Sequence, residues 1–143
     1  MKKVLIVLIL VFSHIYALDK DSTIKIYDEI IHSILHTQKP FVYVANKAYR
    51  DILKFSTNIV VSLDISKVTM AIVTTKRDIN NIKKINQNII FFATKEGLLF
   101  EDDTVVGAFY WKKGRSQLIF IKQRLDKYNI KLPKEYKKFI IKL

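Results

Sequence analysis

His32 and His36 stand four residues apart, and Asp28 lies four residues before His32. On a helix that spacing puts all three side chains on one face. Two imidazoles and a carboxylate are ligand types for a transition metal, and with an open fourth position they would suit a metal-dependent hydrolase. Nothing else in the chain supplies the outer shell that such ligands need, so a solvated face opposite an Ile stripe is the plainer reading. The run Glu101-Asp102-Asp103 offers paired carboxylates, but three consecutive side chains cannot converge on one point; it reads as a polar loop before a strand. Gly97 stands alone, without a GxGxxG or Walker pattern, and no Ser sits in a GxSxG elbow. The chain has no Cys, which excludes disulfides, thiol nucleophiles and thiolate metal sites. The residues therefore argue against an enzyme, and no cofactor or bound metal is expected.

A second kind of chemistry is electrostatic. Trp111-Lys112-Lys113-Gly114-Arg115 sets three cations beside an aromatic, a tip suited to lipid phosphates or an acidic protein face. The plainer reading is that Lys112, Lys113 and Arg115 keep a turn soluble, with Trp111 in the core. The 143 residues carry a formal charge of +12, which falls to +10 without Lys2 and Lys3. Such a balance suggests anionic partners. The lysines are scattered, however, and the crowding of Lys, Ile and Asn is also what codon bias produces. Half of the residues are apolar, with only three Gly and two Pro, a composition that builds a packed core and argues against disorder.

Met1 to Ala17 has a Lys pair, an unbroken apolar run from Val4 to Phe12, and a small residue at the end. That is the layout of a secretory signal peptide, with the mature chain beginning near Leu18 and an uncleaved anchor as the alternative. The remainder is expected in the periplasm, where a nucleic-acid partner is not expected.

The elements that must position these residues follow from periodicity. Asp21-Ser22-Thr23 offers N-cap residues to a helix carrying Ile24, Tyr27, Ile31, Ile34 and Leu35, which stops before Pro40. Phe41 to Ala45 reads as a buried strand. Asn46 is placed to cap a helix from Lys47 to Phe55, with Ala48, Ile52 and Phe55 inward. Ile59 to Leu63 and Thr69 to Thr75 are further strands. A helix from Lys76 to Asn86, with Ile79, Ile82 and Ile85 on one side, leads to the strand from Ile89 to Ala93; strand, helix and strand in this order call for a parallel sheet. Lys95 to Asp103 reads as a loop. Thr104 to Trp111 and Ser116 to Ile121 form a hairpin about the turn Lys112-Lys113-Gly114-Arg115 and are apolar on both faces, so layers must cover both sides. A helix from Lys122 to Tyr128 turns Leu125 inward, and Pro133 opens a last helix through Ile141 with Tyr136, Phe139 and Ile140 as its apolar face.

The strand TMAIVTT, the Ile-spaced helix, the strand IIFFA, the glycine-bearing hairpin and the segment from Val105 to Ile140 together resemble the YfiR-like family. The resemblance implies a periplasmic α/β protein, not an enzyme, that represses a membrane diguanylate cyclase by binding its periplasmic part. Val106-Gly107 stands where that family has paired glycines, and Lys122 or Gln123 where an Asn is expected. The disulfides common in the family have no counterpart in a chain without Cys.

These observations define a single α/β domain from residue 18 to 143, with a mixed, mostly parallel sheet, the hairpin in its C-terminal half and helices on both faces. The expected function is a periplasmic binding or regulatory module acting through protein contacts, on a membrane or periplasmic partner. A small-ligand-binding domain is the alternative, with its pocket at the carboxyl ends of the parallel strands near Asn46, Thr75 and Thr94. The hydrolase built on Asp28, His32 and His36 is the third reading.

Overall fold

Apolar residues that alternate between two faces need cover on both, and the computed structural model, which describes residues 19–143, shows how this chain supplies it. The expected signal peptide, residues 1–17, lies outside the described residues. The elements in order are α1 (Lys20–Leu35), β1 (Phe41–Val44), α2 (Lys47–Leu53), β2 (Val60–Val61), β3 (Met70–Val73), α3 (Lys76–Lys83), β4 (Ile90–Ala93), α4 (Gly97–Glu101), β5 (Val105–Lys112), β6 (Arg115–Ile121), α5 (Lys122–Lys127) and β7 (Ile140–Ile141). A 3-10 turn, Ile65–Lys67, precedes β3, and another, Lys134–Phe139, precedes β7. Among the described residues, seven strands form one sheet in the order β2-β1-β3-β4-β5-β6-β7. All neighbours are parallel except β5 and β6, the hairpin. The single α/β domain expected from the sequence is the one observed.

Each central strand sends alternate residues to opposite cores. Val42, Val44, Met70, Ile72 and Phe92 join Tyr27, Ile30, Ile31 and Ile34 of α1 and Leu53 of α2 on one face. Ala71, Val73, Phe91 and Ala93 join Ile79 and Ile82 of α3 and Leu98 and Leu99 of α4 on the other. Tyr27 sits at the centre of the first core, edge-on to Phe92 and Phe109. Burial raises the pKa of its hydroxyl, and the neighbouring Tyr49 adds to the rise.

Helix starts follow local chemistry. Asn46 accepts from the amides of Ala48 and Tyr49, capping α2 as its position in the sequence suggests. Thr75 and Asp78 form a capping box at α3, with each side chain accepting from the other residue's amide. α1 begins one turn earlier than the Asp21-Ser22-Thr23 reading, with Asp19 at the N-cap.

β5 has the longest buried run of the described strands. Val105 through Tyr110 are all buried, and the alternation breaks once: Phe91 pairs with Val105, but Phe92 pairs with Gly107. That bulge puts Val106 in one core and Ala108, two residues on, in the other. It also brings Gly107 between Phe92 and Phe120. A Cβ there would lie 2.6 Å from the carbonyl oxygen of Ile119, 2.8 Å from Phe120 Cδ1 and 3.1 Å from Phe92 Cε2. Only glycine lets the three strands close at this point.

Several expectations are corrected. The hairpin turn has two residues, not four: Lys112 pairs with Arg115, and Lys113 and Gly114 take φ of 52° and 75°. Positive φ at both positions matches the right-handed twist of the flanking strands. Trp111 is not core; it is 45% exposed, at the end of β5 where the burial of the strand stops. The segment from Lys95 to Asp103 is not a plain loop, since α4 buries Leu98 and Leu99 within it. In α2 the inward residue is Leu53, while Ala48 and Phe55 face solvent, as does Ile85 after α3. The run from Ile59 to Leu63 keeps only Val60–Val61 as strand, and Leu63 is exposed. The last helix is a 3-10 turn followed by β7, because Ile140 and Ile141 take the open edge of β6.

Gly107→Ala is expected to cost about 3 kcal/mol, because the nearest atom to the new Cβ is backbone and cannot move alone. Phe109→Ala, at a side chain only 7% exposed, should cost about 3–5 kcal/mol. Trp111→Ala at the uncovered tip should cost about 1 kcal/mol or less. Chemical denaturation of the three variants checks the ranking, and equal losses at Trp111 and Phe109 would contradict the observed cover of the hairpin.

Candidate functional site

The residues whose spacing suggests a metal site, Asp28, His32 and His36, do other work. His32 Nδ1 lies 2.7 Å from the Asp28 carbonyl oxygen and its Nε2 lies 3.2 Å from that of Gln38. His36 is not on the helix at all. It is the C-cap, with a left-handed φ of 53°, and its Nε2 lies 2.8 Å from the carbonyl oxygen of Lys131. Asp28 is buried and accepts from the Ser56 hydroxyl at 2.7 Å and the Asn58 side-chain Nδ2 at 3.1 Å. These three residues tie α1 to the segment before β2 and to the C-terminal arm. Among the described residues, no three His, Asp or Glu side chains are grouped to hold a metal ion.

Asn46, Thr75 and Thr94 follow the carboxyl ends of β1, β3 and β4, which are neighbours in the sheet, and none of the three lines a described groove. Their side chains are committed to neighbours: Asn46 and Thr75 to their caps, and Thr94 to the Thr74 hydroxyl at 2.9 Å. The hairpin tip rises from the same end of the sheet. Lys112 reaches Glu96 at 3.4 Å, while Lys113 and Arg115 stand exposed beside Trp111.

Asp102 is the residue that the sequence reading passed over. It ends α4 rather than standing in a loop, and it is buried, whereas Glu101 and Asp103 are exposed. Lys76 Nζ, from the first turn of α3, lies 2.5 Å from Asp102 Oδ2, and Lys83 Nζ lies 3.5 Å from the same oxygen. The Thr104 amide donates to Oδ1 at 2.8 Å, and the Thr104 hydroxyl donates to it as well. Burial alone would raise this carboxyl's pKa; the Lys76 and Thr104 hydrogen bonds and the Lys83 charge outweigh it and hold the group well below the usual carboxylate range. Arg124 of α5 donates to the carbonyl oxygens of Asp102 and Val105 at 3.2 and 2.8 Å. The cluster joins α3, α4, β5 and α5 and is a fastening of the fold. No spacing in the sequence brings residues 76, 83, 102 and 124 together; the crossovers through α3 and α4 and the return of the hairpin do.

A concavity lies on the other face. It is an open groove of about 690 Å³ between α1 and the C-terminal 3-10 turn. Ile26 and Ile30 of α1, Phe109 and Leu118 of the hairpin, and Tyr136 and Phe139 of the turn make its apolar lining. Glu29, His32, Glu135 and Lys138 stand around it. Burial raises the pKa of the Tyr136 hydroxyl, the Glu29 carboxylate adds to the rise, and Ser33 opposes it. Aromatic contacts run from Phe120 through Tyr136 to Phe139, which fixes the turn against the sheet. The groove exists because the chain returns over β6 as a 3-10 turn, narrower than the α-helix expected there.

Comparison with protein-family models and with curated proteins gives no match. Among solved structures, the fold is similar to the crystal structure of a conserved domain protein from Vibrio cholerae. The TM-score is 0.59 at 11% identity, over 83% of this chain and 59% of that one. The chain thus spans under two thirds of that protein, and the likeness shows a shared α/β fold. No helix of the described residues is long and apolar enough to cross a membrane.

Asp102→Asn should remove about 2 kcal/mol at neutral pH, where charge-assisted hydrogen bonds to a buried carboxylate are lost. Because the folded-state pKa is depressed, this contribution is complete above the unfolded value of about 3.9 and fades as pH falls below it. Denaturation at pH 7 and at acid pH should therefore show the gap between the parent and Asp102→Asn closing in acid. A gap that is constant with pH would contradict the ionised cluster.

Proposed function

We propose that this protein is an exported binding module that acts by holding an apolar segment of a protein partner, on the periplasmic side of a membrane. The observation that supports the reading is the groove between α1 and the C-terminal 3-10 turn. Its lining is apolar and aromatic, its rim carries both signs of charge, and it is open along one side. An open groove of that kind suits an extended or helical peptide laid in from outside, with aromatic anchors in the middle and charges setting its direction. A small ligand would favour a more enclosed cavity with convergent polar groups. The leader pattern of residues 1–17 supports export, and the resemblance of residues 105–140 to YfiR-like regulators supports a protein partner at a membrane.

The groove reading puts the contact at Leu118 and Phe139, away from the carboxyl-end residues Asn46, Thr75 and Thr94 and away from the Lys112-Lys113-Arg115 tip. A photo-crosslinking residue in place of Leu118, in the native host, is expected to yield one discrete adduct with the exported part of a membrane signalling protein. The same residue in place of the exposed Leu63 should yield none. An adduct only at Lys113 would move the contact to the hairpin tip. A gain in mass of small-molecule size at Leu118 would replace the protein partner by a ligand.

A further inference from the structure

The positive charge of this chain, scattered along most of the sequence, gathers at its end. Residues 122–143 hold eight cations against two acids, a net charge of +6. Lys122 pairs with Asp126 at 2.5 Å, and Arg124 is turned onto the backbone carbonyls of Asp102 and Val105. The other six, Lys127, Lys131, Lys134, Lys137, Lys138 and Lys142, are exposed, and among the described residues none of them forms an ion pair. They are not spread evenly. Three of them, Lys131, Lys137 and Lys142, stand with the Lys122–Asp126 pair around a second open groove of about 530 Å³, between α5 and the end of the chain. The apolar lining of this groove is Leu125, Ile130, Leu132 and Ile140. Ile141 and Leu143, both exposed, follow directly on β7.

We infer that this lysine-ringed groove docks the protein on an anionic lipid surface. Clusters of four to eight cations beside apolar side chains are suited to acidic headgroups, where several charges act together over a short range. The free cations here are all lysines. A lysine is a hydrated point charge that follows a fluid layer of phosphates, whereas paired carboxylates on a protein are better matched by the planar fork of arginine. The one arginine of the arm is already committed inward. The apolar lining and the exposed Ile141 and Leu143 give the interfacial part of the bilayer something to cover, which a purely electrostatic patch would not. The hairpin tip has three cations and one aromatic but no such groove, so the arm takes the membrane-facing role that the tip suggested in sequence. The inference stands on the arm alone and does not depend on what fills the α1 groove.

Limited acetylation of the full chain, read lysine by lysine by mass spectrometry, tests it whether or not other parts of the chain also associate with lipid. Phosphatidylglycerol vesicles are expected to slow acetylation of Lys122, Lys131, Lys137 and Lys142 about fivefold or more, while Lys95 and Lys113 keep their rates. The protection should be absent with phosphatidylcholine vesicles and should fade in about 0.5 M salt, where screening shortens to a few ångströms. A charge-matched pair of variants extends the test: K131Q/K137Q/K142Q should lose the preference for phosphatidylglycerol, and K112Q/K113Q/R115Q should keep it. Uniform protection of all lysines, protection of Lys113 in place of the arm, or equal losses in both variants would overturn the inference. So would protection of the arm by an acidic peptide but not by vesicles, which would assign the groove to a protein.

Discussion

Phe92 and Phe120 close over Gly107 from the strands on either side of it, and the architecture depends on that contact. Among the described strands, β5 joins the parallel half of the sheet to the antiparallel hairpin. It must therefore fit β4 on one side and β6 on the other, with side chains buried on both faces. The bulge between Val105 and Gly107 reconciles the two registers. It directs Val106 and Phe109 toward α1, and Val105, Ala108 and Tyr110 toward α3 and α4. A residue with a Cβ at 107 would push β6 away, and with it the 3-10 turn that rests on Phe120 through Tyr136. The groove and the lysine arm are thus built on the same steric allowance.

The two cores are fastened differently. The α1 face is held by aromatic edge-to-face contacts around Tyr27 and carries both the proposed peptide groove and the C-terminal arm. The α3 face is held at one end by Asp102, whose carboxylate is shared by two lysines. Placing a buried charge on the face away from the grooves leaves the partner-facing side apolar at its floor and charged only at its rim. In the proposed account, the arm brings the protein to the membrane surface while the α1 groove reads its protein partner. The two contacts are separate surfaces divided by residues 133–139: Pro133, Glu135, Tyr136, Lys138 and Phe139 face the α1 groove, and Lys137 faces the other.

Much of this layout was legible in the sequence. The βαβ order, the parallel sheet, the glycine-bearing hairpin and the Asn46 cap all follow from local rules, and each is present. Local rules failed where an element's state is decided by a distant neighbour. Trp111 looks like core because it continues an apolar run, but the burial of β5 stops before it. Ile140 and Ile141 look helical by spacing after Pro133, yet the unpaired edge of β6 draws them into a strand. Asp102 cannot be separated from Glu101 and Asp103 by composition; its lysines arrive from 26 and 19 positions away. The candidate sites show the same limit. His32, His36 and Asp28 share a helical spacing, but backbone carbonyls and the residues before β2 occupy them, whereas the groove is lined by side chains from four different elements.

Amide hydrogen exchange resolved to single residues tests the central claim most directly. If the fit of β5 around Gly107 organises both halves of the sheet, the amides of Gly107, Ala108 and Phe109 should exchange only through global unfolding and be the slowest in the protein. Those of β2, β7 and the 3-10 turn before it should open at lower free energy. Slowest exchange in β1 and β3, with β5 opening together with β6 in a separate, easier step, would contradict the account and make the hairpin an appendage to a self-sufficient parallel sheet.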